Sequence, residues 1–294
     1  MNELEQLAGT GNYEGYLKRM TASVSQSSKG LIPFFASTMA DRPGFRILDV
    51  GCGSGILMKA IRDVCPEAEV RGVDLNEYSV RFCREAGFDV IHGTLHDAVA
   101  AGEVFDCILF SSVLHEISSY DETEPYSLKP VRDTLADAYA GLVPGGKILI
   151  RDGVRCDSDA PVTIRLKDPS DVKWAERFAA EYRADPVSYR ITGDGILEMS
   201  ACTAKEFLYT YTWGPESWPR EVKERFGMAS VEEWRELLRL AGFRITLQMA
   251  SAEEYLKYLE RKIVITDGIA RLFEQATALF IAEKSSQLPA ASSQ

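Results

Sequence analysis

Short apolar runs alternate with stretches of helical periodicity from residue 45 to about residue 151 of the chain. Such alternation is typical of repeated strand-helix-strand units, which build a parallel sheet. It predicts five strands, at residues 45–50, 69–74, 89–92, 105–110 and 146–151. Helices are predicted between them at residues 54–64, 76–86 and 129–141, with a minor helix at 95–101.

The segment after the fifth strand departs from this alternation. The next helix with a core-facing pattern spans residues 231–243, and the gap of roughly eighty residues before it is too long for a structureless loop. An insertion with its own helices is therefore expected, and the four-residue spacing of Trp174, Phe178 and Tyr182 predicts one at 170–182. Two more strands, 244–248 and 278–283, complete the sheet, with a helix at 251–262 between them.

A glycine-rich loop follows the first predicted strand, with the sequence Asp49-Val50-Gly51-Cys52-Gly53-Ser54-Gly55. Glycines at this spacing let the backbone turn sharply from a strand into a helix and approach a ligand closely. Asp74 ends the second strand 25 positions after Asp49, where an acid suits the hydroxyls of a ribose. The alternatives are a tight turn for the glycines, a helix cap for Asp49 and a turn residue for Asp74.

The order of this loop, D-x-G-x-G-x-G, resembles motif I of the class I S-adenosylmethionine-dependent methyltransferases. It differs from the G-x-G-x-x-G loop of nicotinamide and flavin folds because the acid stands before the first glycine. Residues 142–147, Leu-Val-Pro-Gly-Gly-Lys, also resemble the segment before the fifth strand of this family, with the Pro-Gly-Gly turn ending the preceding helix. The resemblance covers residues 45–153 and, more loosely, 230–283.

Pattern and resemblance together predict an α/β fold, a doubly wound, seven-stranded, mostly parallel sheet with helices on both faces. An N-terminal helical cover and a long insertion after strand five would be added to this sheet. The expected parts are the cover at 1–40, a Rossmann-like cofactor-binding core at 41–153, an insertion that caps the substrate at 154–229, the C-terminal part of the core at 230–284 with an insertion at 251–275, and a disordered polar tail at 285–294.

The resemblance implies S-adenosylmethionine as the cofactor and S-adenosylhomocysteine as the product. It places the loop of Gly51, Gly53 and Gly55 against the methionine half of the cofactor. Asp49 would fix the loop backbone or reach the amino group of that half. Asp74 would take both ribose hydroxyls with its two carboxylate oxygens.

Four further residues are expected beside the cofactor. Leu75 would pack on the adenine ring, and Ser111, at the end of strand four, would face the cofactor. Thr94 stands where the family often has an acid that meets the adenine amino group. Because of that departure, Thr94 and Leu95 are expected as neighbours of the ring, with the hydrogen bond coming from the Thr94 hydroxyl or from nearby backbone.

Polar residues after strands four and five are the candidates for catalysis. His115 could accept a proton from the acceptor as a neutral imidazole, and Glu116 could pair with a substrate cation. Asp152 could orient the nucleophile or bind an amine. The alternatives are that His115 and Glu116 bond loop backbone and shape the site, and that Asp152 forms an Asp-Gly turn.

The densest aromatic stretch, residues 207–221, is interpreted as pocket lining. Alternation of Tyr209, Tyr211 and Trp213 predicts a strand with all three side chains on one face, able to stack on a flat ring or enclose a cation. The alternative is a local core beneath the insertion. Further candidates for substrate binding are Tyr13 and Tyr16 of the N-terminal cover, and Arg220 and Arg190 for an anionic group.

No metal is expected, because strand four ends in serines and the chain has no HExxH or clustered Cys and His pattern. Methyl transfer does not require one, since the sulfonium is already an activated leaving group and alignment supplies much of the rate.

Composition narrows the choice of partner. With 294 residues, 46% of them hydrophobic, the chain can bury a full core. Its formal net charge of −11 opposes the phosphate attraction on which nucleic-acid binding depends, and no run of Lys or Arg forms a basic patch. A small-molecule methyl acceptor is therefore favoured. The alternatives are methylation of RNA or of a protein side chain, a non-catalytic partner subunit that binds S-adenosylmethionine, and transfer of a group other than methyl.

The cysteines and the first residues favour a cytoplasmic location. None of the six cysteines belongs to a CxxC pair, which fits a reducing compartment. The N-terminus lacks the basic and apolar regions of a leader, and no apolar stretch reaches the length of a membrane span. A homodimer is compatible with the sequence.

Overall fold

The computed structural model describes residues 44–251 and 253–285. In chain order its strands are β1 (Arg46–Val50), β2 (Glu69–Asp74), β3 (Asp89–His92), β4 (Phe105–Ser111), β5 (Leu142–Gly153), β6 (Pro161–Arg165), β7 (Tyr189–Gly193), β8 (Ile196–Ser200), β9 (Phe243–Ser251) and β10 (Thr277–Lys284). Seven of them form one sheet in the order β3-β2-β1-β4-β5-β10-β9, in which β10 runs antiparallel to both neighbours. The other three form a small antiparallel sheet in the order β6-β8-β7.

The helices of the described residues alternate with these strands. They are α1 (Ile56–Val64), α2 (Glu77–Glu85), α3 (Leu95–Ala100), α4 (Leu114–Ser119), α5 (Lys129–Gly141), α6 (Val172–Glu181), α7 (Ala201–Trp213), α8 (Trp218–Glu221), α9 (Val231–Leu240), α10 (Glu253–Leu259) and α11 (Asp267–Leu272). A 3₁₀ turn, Pro169–Asp171, leads into α6. The helices and strands predicted within the described ranges are present, except for the strand predicted at residues 209–213, and α5 has the predicted bounds.

Both faces of the large sheet are covered by helices. Ile47 packs in a core with α1 and α2 on one face, while its neighbour Leu48 packs in a core with α3, α5 and α9 on the other. Successive side chains of a strand point to opposite faces, so a strand buried on both sides must be apolar at nearly every position. The predicted doubly wound, seven-stranded sheet is confirmed.

The segment that contains Pro144 and Gly145 differs from the prediction. Helix α5 ends at Gly141, and Leu142 is already extended and paired with Phe105. The register between β4 and β5 shifts between that pair and the pair Cys107–Lys147. The Pro-Gly-Gly segment is therefore an irregularity within β5, where Gly145 has φ +75°, and does not itself end the helix.

The insertions after β5 and between β9 and β10 share one hydrophobic core, and we call residues 154–229 and 253–276 the cap. Phe178 and Phe207 of the first segment and Leu259 and Phe273 of the second are fully buried in this core. The expected helices are present. The three-stranded sheet was not foreseen, because β6, β7 and β8 are short and alternate only weakly.

Helix α7 is the centre of the cap and corrects the prediction of a strand at residues 209–213. Ser200 caps it by accepting a hydrogen bond from the backbone N–H of Thr203, and eight consecutive residues from Ala204 to Tyr211 are buried. A helix surrounded by protein on all sides has no polar face turned to solvent, so its sequence carries no helical period and alternation arises by chance.

Two buried charged residues fasten α7 to distant parts of the chain. Lys205 donates from Nζ to the carbonyl oxygen of Gln275 at 3.0 Å. The Glu206 carboxylate accepts hydrogen bonds from the backbone N–H groups of Phe226 (2.9 Å) and Gly227 (2.8 Å). Lys205 and Glu206 thus hold the C-terminal ends of both cap segments at the same turn of α7.

Several predicted features lie outside the described residues. They are the N-terminal cover with Tyr13 and Tyr16, and the tail from residue 286. Among the helices of the described ranges, none combines the length and the apolar character needed to cross a membrane.

Candidate active site

A cavity of about 980 Å³ lies at the carboxyl ends of β1, β2, β4 and β5, between the sheet and the cap. Ligands of open α/β sheets bind at this edge, where the strand order reverses. The core lines it with Asp49, Gly51, Gly53, Asp74, Leu75, Thr94, Leu95, Ser111, His115, Glu116 and Asp152, and the cap with Tyr209, Trp213, Arg220, Glu221, Glu224, Phe226 and Tyr255. The structure therefore brings together most of the predicted site residues.

The glycine loop is packed too closely for side chains. Gly51 has φ +67°, and a Cβ atom there would lie 2.4 Å from Cγ2 of Val113, in the turn between β4 and α4. Its N–H donates to the carbonyl oxygen of Val73 at 2.8 Å. The loop is thus pressed between the ends of β2 and β4, with the cavity in front of it.

Gly51→Ala should lower the stability of the protein by about 2–4 kcal/mol, because both the positive φ and the overlap with Val113 are unfavourable. Gly87→Ala is the matched control, since Gly87 has φ +79° but nothing within 4 Å of the position of its Cβ. It should cost only about 1 kcal/mol. Urea unfolding of both variants measures the difference, and equal losses would refute the close approach at Gly51.

Asp74 joins the loop to the end of β2. Its Oδ2 accepts a hydrogen bond from the N–H of Gly53 and its Oδ1 one from the N–H of Asn76, both at 2.8 Å. Burial raises the pKa of Asp74, and the two amides oppose that shift. Each carboxylate oxygen retains a lone pair for a further donor, so the side chain can still receive two hydroxyl groups.

Asp49 is 3% exposed at the end of β1 and lines the same cavity. Burial, together with the charge of Asp74, raises the pKa of Asp49 to about 8. At neutral pH this carboxyl group is therefore mostly protonated, and a positively charged ligand group beside it would favour its ionisation.

The predicted adenine neighbours differ in what they can offer. Leu75 is 44% exposed and presents apolar surface to the cavity. The Thr94 hydroxyl belongs to a capping box with Asp97, in which Oγ1 donates to Oδ2 at 2.7 Å and accepts from the Asp97 N–H. Because its hydroxyl is engaged in starting α3, hydrogen bonding to an adenine would come from backbone groups.

Beside the loop, β4 ends in a backbone conformation that the sequence did not reveal. Ser112 has φ +55°, which is uncommon for a residue with a side chain. Its N–H donates to the carbonyl oxygen of Arg151 (2.7 Å), and Arg151 donates from Nη1 to its hydroxyl (3.2 Å). This turn leaves Ser111 at the cavity wall.

His115 and Asp152 form a buried pair at the centre of the site. Nδ1 of His115 lies 2.7 Å from Oδ1 of Asp152, and the other oxygen of Asp152 accepts from the N–H groups of Leu114 and His115 at 3.0 and 3.2 Å. Asp152 thus fixes both the imidazole and the start of α4. It therefore holds His115 in place. Oδ1 of Asp152 also accepts from the N–H of Gly153 at 2.8 Å, but both residues lie within β5 and not in the Asp-Gly turn considered as an alternative.

Four charged side chains of alternating sign connect α4 to the cap. They are His115, Glu224, Arg220 and Glu116. Nε2 of His115 lies 3.4 Å from Oε2 of Glu224, and Arg220 contacts Oε1 of Glu224 through Nε at 3.2 Å. Nη2 of Arg220 lies 2.5 Å from Oε2 of Glu116. Tyr120 adds a hydrogen bond from its hydroxyl to Oε1 of Glu224 at 3.1 Å. The Arg220 charge is therefore balanced by two carboxylates, which weakens the expectation that it binds an anionic substrate.

These contacts change the role expected for His115. Burial alone would lower the pKa of His115, but the charges and hydrogen bonds of Asp152 and Glu224 raise it well above its ordinary value. The ring is thus an imidazolium with both nitrogens engaged, and it has no free position to accept a proton. Burial raises the pKa of Glu116 to about 7 against the opposing charge of Arg220, so Glu116 is better suited to proton transfer near neutral pH.

The aromatic residues of α7 divide between the site and the cap core. Tyr209 and Trp213, four positions apart, line the cavity. Tyr211 does not: it is 1% exposed, its ring stacks on Phe207 at 5.4 Å and its hydroxyl bonds Asp171. Tyr211 is therefore a core residue of the cap. Arg190 pairs with Glu198 on the exposed small sheet, away from the cavity.

Several lining residues were missed from the sequence, among them Glu224, Phe226 and Tyr255 of the cap. The four-residue spacing of Arg220 and Glu224 was a usable signal, since such a pair shares one helical face. Nothing local indicated that this face meets His115.

His115, Glu116 and Glu224 are also close enough to share a metal ion, with potential ligand atoms within 4.8 Å of one another. Arg220 and the imidazolium already provide the positive charge among these carboxylates. The expectation that the site works without a metal ion remains a prediction.

Comparisons with known proteins agree on one domain. Residues 48–150 match the family described as methyltransferase domain. A ribosomal RNA small subunit methyltransferase C of Chromohalobacter salexigens is 27% identical over 135 residues, 43% of this chain and 37% of that protein. A ubiquinone biosynthesis O-methyltransferase of Mesorhizobium japonicum is 34% identical over 90 residues, 28% of this chain and 35% of that protein. The chain thus spans little more than a third of the length of either relative.

One solved structure extends the likeness over nearly the whole chain. It is the plantazolicin methyltransferase BpumL in complex with a monoazolic desmethylPZN analog and SAH, with a TM-score of 0.52 and 14% sequence identity. The match covers 94% of this chain and 88% of BpumL. At 14% identity, this likeness shows a shared fold alone.

Proposed function

We propose, from the premise that this chain belongs through residues 48–150 to the class I S-adenosylmethionine-dependent methyltransferases, that it transfers the methyl group of S-adenosylmethionine to a small-molecule acceptor. One observation carries the proposal: the glycine loop and the cap line one continuous cavity. A volume of about 980 Å³ is at the upper end of the range for small-molecule pockets, which leaves room for a cofactor and an acceptor together.

The cofactor would be held by the core side of this cavity. Asp74 would receive the two ribose hydroxyls, Leu75 would cover the adenine and Asp49 would lie near the amino group of the methionine half. The backbone of Gly51 and Gly53 would pass beside the same half. When bound, S-adenosylmethionine supplies a methyl group on a positively charged sulfur.

The cap side would hold the acceptor, and Glu116 of the core would deprotonate it. Glu116 borders the cavity and its pKa of about 7 allows it to take a proton at neutral pH. Arg220 would fix the carboxylate of Glu116 and is itself held by Glu224. The His115–Asp152 pair would hold Glu224 through Nε2 of His115. Alignment of acceptor, methyl carbon and sulfur then supplies much of the rate.

By their names, the relatives given above are a ribosomal RNA methyltransferase and an O-methyltransferase of ubiquinone biosynthesis, so transfer to RNA and transfer to small molecules must both be tested. The net charge of −11 and the acidic residues of the cap side favour the small molecule.

The experiment begins with calorimetry of S-adenosylhomocysteine binding, followed by transfer of radiolabelled methyl groups from S-adenosylmethionine to a metabolite library and to total RNA. Binding with transfer to metabolites supports the proposal. A folded protein that binds neither form of the cofactor would refute it. Transfer to RNA alone would replace the small-molecule acceptor, and binding without any transfer would favour a non-catalytic subunit.

Cofactor binding should release a proton from Asp49. Near pH 7 the free protein holds this carboxyl protonated, because its pKa is about 8, and the ammonium group of the cofactor should lower that pKa. Calorimetry of S-adenosylhomocysteine binding in buffers of different ionisation enthalpy should show release of up to one proton, declining as the pH rises past 8. In Asp49→Asn the release should disappear, and its persistence would contradict the assignment.

A further inference from the structure

Glu221 is a buried carboxyl group of the site that lacks a cationic partner among the described residues. Glu221 lies at the end of α8, is 2% exposed and borders the cavity. Among the residues that the structure describes, none donates a hydrogen bond to its side chain or forms an ion pair with it. An ionised carboxylate buried without a partner is strongly unfavourable, so this side chain is suited to a ligand that brings the missing charge.

The cations His115 and Arg220, whose charges act on Glu221, are already paired with other carboxylates. Two cations, His115 and Arg220, serve the three carboxylates of Asp152, Glu224 and Glu116 through the contacts given above. With Glu116 ionised, this group already has one negative charge in excess. Burial and the charge of Glu224 raise the pKa of Glu221 well above its ordinary value, so Glu221 stays protonated until a cation lies beside it. The sulfonium of a bound cofactor can balance the excess charge of the group, and the ammonium group of an acceptor would allow Glu221 to lose its proton to water and ionise.

The remaining wall of the cavity is aromatic. Tyr209 lies 5.0 Å from Tyr255 and 5.5 Å from Phe226, measured between ring centroids, and all three border the cavity with Trp213. Faces of aromatic rings attract cations and also pack on apolar groups. The wall therefore suits a molecule that has both a positive charge and an apolar body.

We propose that the methyl acceptor is a protonated amine on an apolar or aromatic body, with its ammonium group between Glu221 and Glu116. The proposal rests on the methyltransferase function proposed above. A carboxylate pair at this place binds the ammonium, and the aromatic wall of the cap binds the body.

Transfer of the methyl group to such an amine conserves atoms and charge. Glu116 takes one proton from the ammonium, which leaves a lone pair on nitrogen. The nitrogen forms a bond to the methyl carbon as the carbon–sulfur bond breaks and its electron pair returns to sulfur. The products are a methylated ammonium ion, S-adenosylhomocysteine and protonated Glu116, which loses its proton to water.

The test compares matched arylalkyl compounds, such as phenethylamine, 2-phenylethanol and phenylacetate, in binding to the protein saturated with S-adenosylhomocysteine. The amines should bind at least tenfold more tightly than the alcohols, and the carboxylates most weakly. Glu221→Gln should remove the preference for amines while the affinity for S-adenosylhomocysteine stays unchanged. Glu236→Gln, which removes an exposed acid of α9 paired with Arg239, is the control and should preserve the preference.

Three outcomes would overturn the assignment. One is equal or tighter binding of the alcohols, or binding of no amine in the panel. Another is a preference for amines that survives in Glu221→Gln, whose melting temperature should equal or exceed that of the parent. The third is methyl transfer that requires added Mg²⁺ or Mn²⁺ and is lost with EDTA, which would make His115, Glu116 and Glu224 a metal site. Failure of S-adenosylhomocysteine to bind would instead refute the methyltransferase function itself.

Discussion

Glu116→Gln should lower kcat for methyl transfer by a factor of about 10²–10⁴, which is the usual contribution of a general base. Gln keeps the shape of the side chain and can still accept the hydrogen bond from Arg220, but it cannot take a proton. In the parent protein kcat should fall as the pH drops below about 7, because protonation of Glu116 removes the base. The variant should lose this dependence and give a flat profile.

Steady-state kinetics across pH 5.5–9, with the acceptor identified by the transfer screen, measures both effects; this pH range brackets a pKa of about 7. The affinity for S-adenosylhomocysteine and the melting temperature should stay unchanged, which separates a catalytic loss from a structural one. A kcat within threefold of the parent value, or an acid limb that persists in Glu116→Gln, would move the proton transfer to another group.

Asp74→Ala should weaken binding of S-adenosylhomocysteine by a factor of about 10²–10⁴. The change would remove the two charge-assisted hydrogen bonds that we propose between Asp74 and the ribose hydroxyls, each worth about 1.5–3 kcal/mol. It also deprives the N–H groups of Gly53 and Asn76 of their acceptor, so the loop loses its connection to β2. The affinity of Asp74→Asn for S-adenosylhomocysteine should lie between those of the parent and Asp74→Ala, since the side-chain oxygen of Asn can still accept a hydrogen bond from one of the two backbone N–H groups.

Calorimetry gives the affinities, and circular dichroism checks that each variant is folded. Asp63→Ala, which removes an exposed acid on α1 paired with Lys59, should bind like the parent. An unchanged affinity in Asp74→Ala would show that the ribose is held elsewhere and would remove the main support for the assigned orientation of the cofactor.

The core side of the site could be predicted from the sequence because it depends on which parallel strands are adjacent in the sheet. Asp49 and Asp74 end adjacent parallel strands, and carboxyl ends of such strands meet at one edge of a sheet. His115 and Asp152, 37 positions apart, meet for the same reason at the ends of β4 and β5. These pairings depend on strand order alone.

The cap side could not be predicted in this way. Arg220 meets Glu116 across 104 positions of sequence, and this contact depends on how the cap packs on the sheet. Helix α7 shows the same difficulty, because burial all round erased the periodicity that would have placed Tyr211 in the cap core and Tyr209 at the cavity. The role of His115 also changed, since its raised pKa depends on Asp152 and, in addition, on Glu224, which belongs to the cap.

Helix α7 has a consequence for the order in which the protein can form. Its Lys205 binds the backbone at Gln275, and its core includes Leu259 and Phe273. The cap therefore cannot close over the cavity before residues 259–275 have left the ribosome, after the glycine loop and β1 to β5 have emerged. Contacts between such distant segments also form slowly. The segments that form most of the core side of the cavity thus emerge before those that complete its cap side.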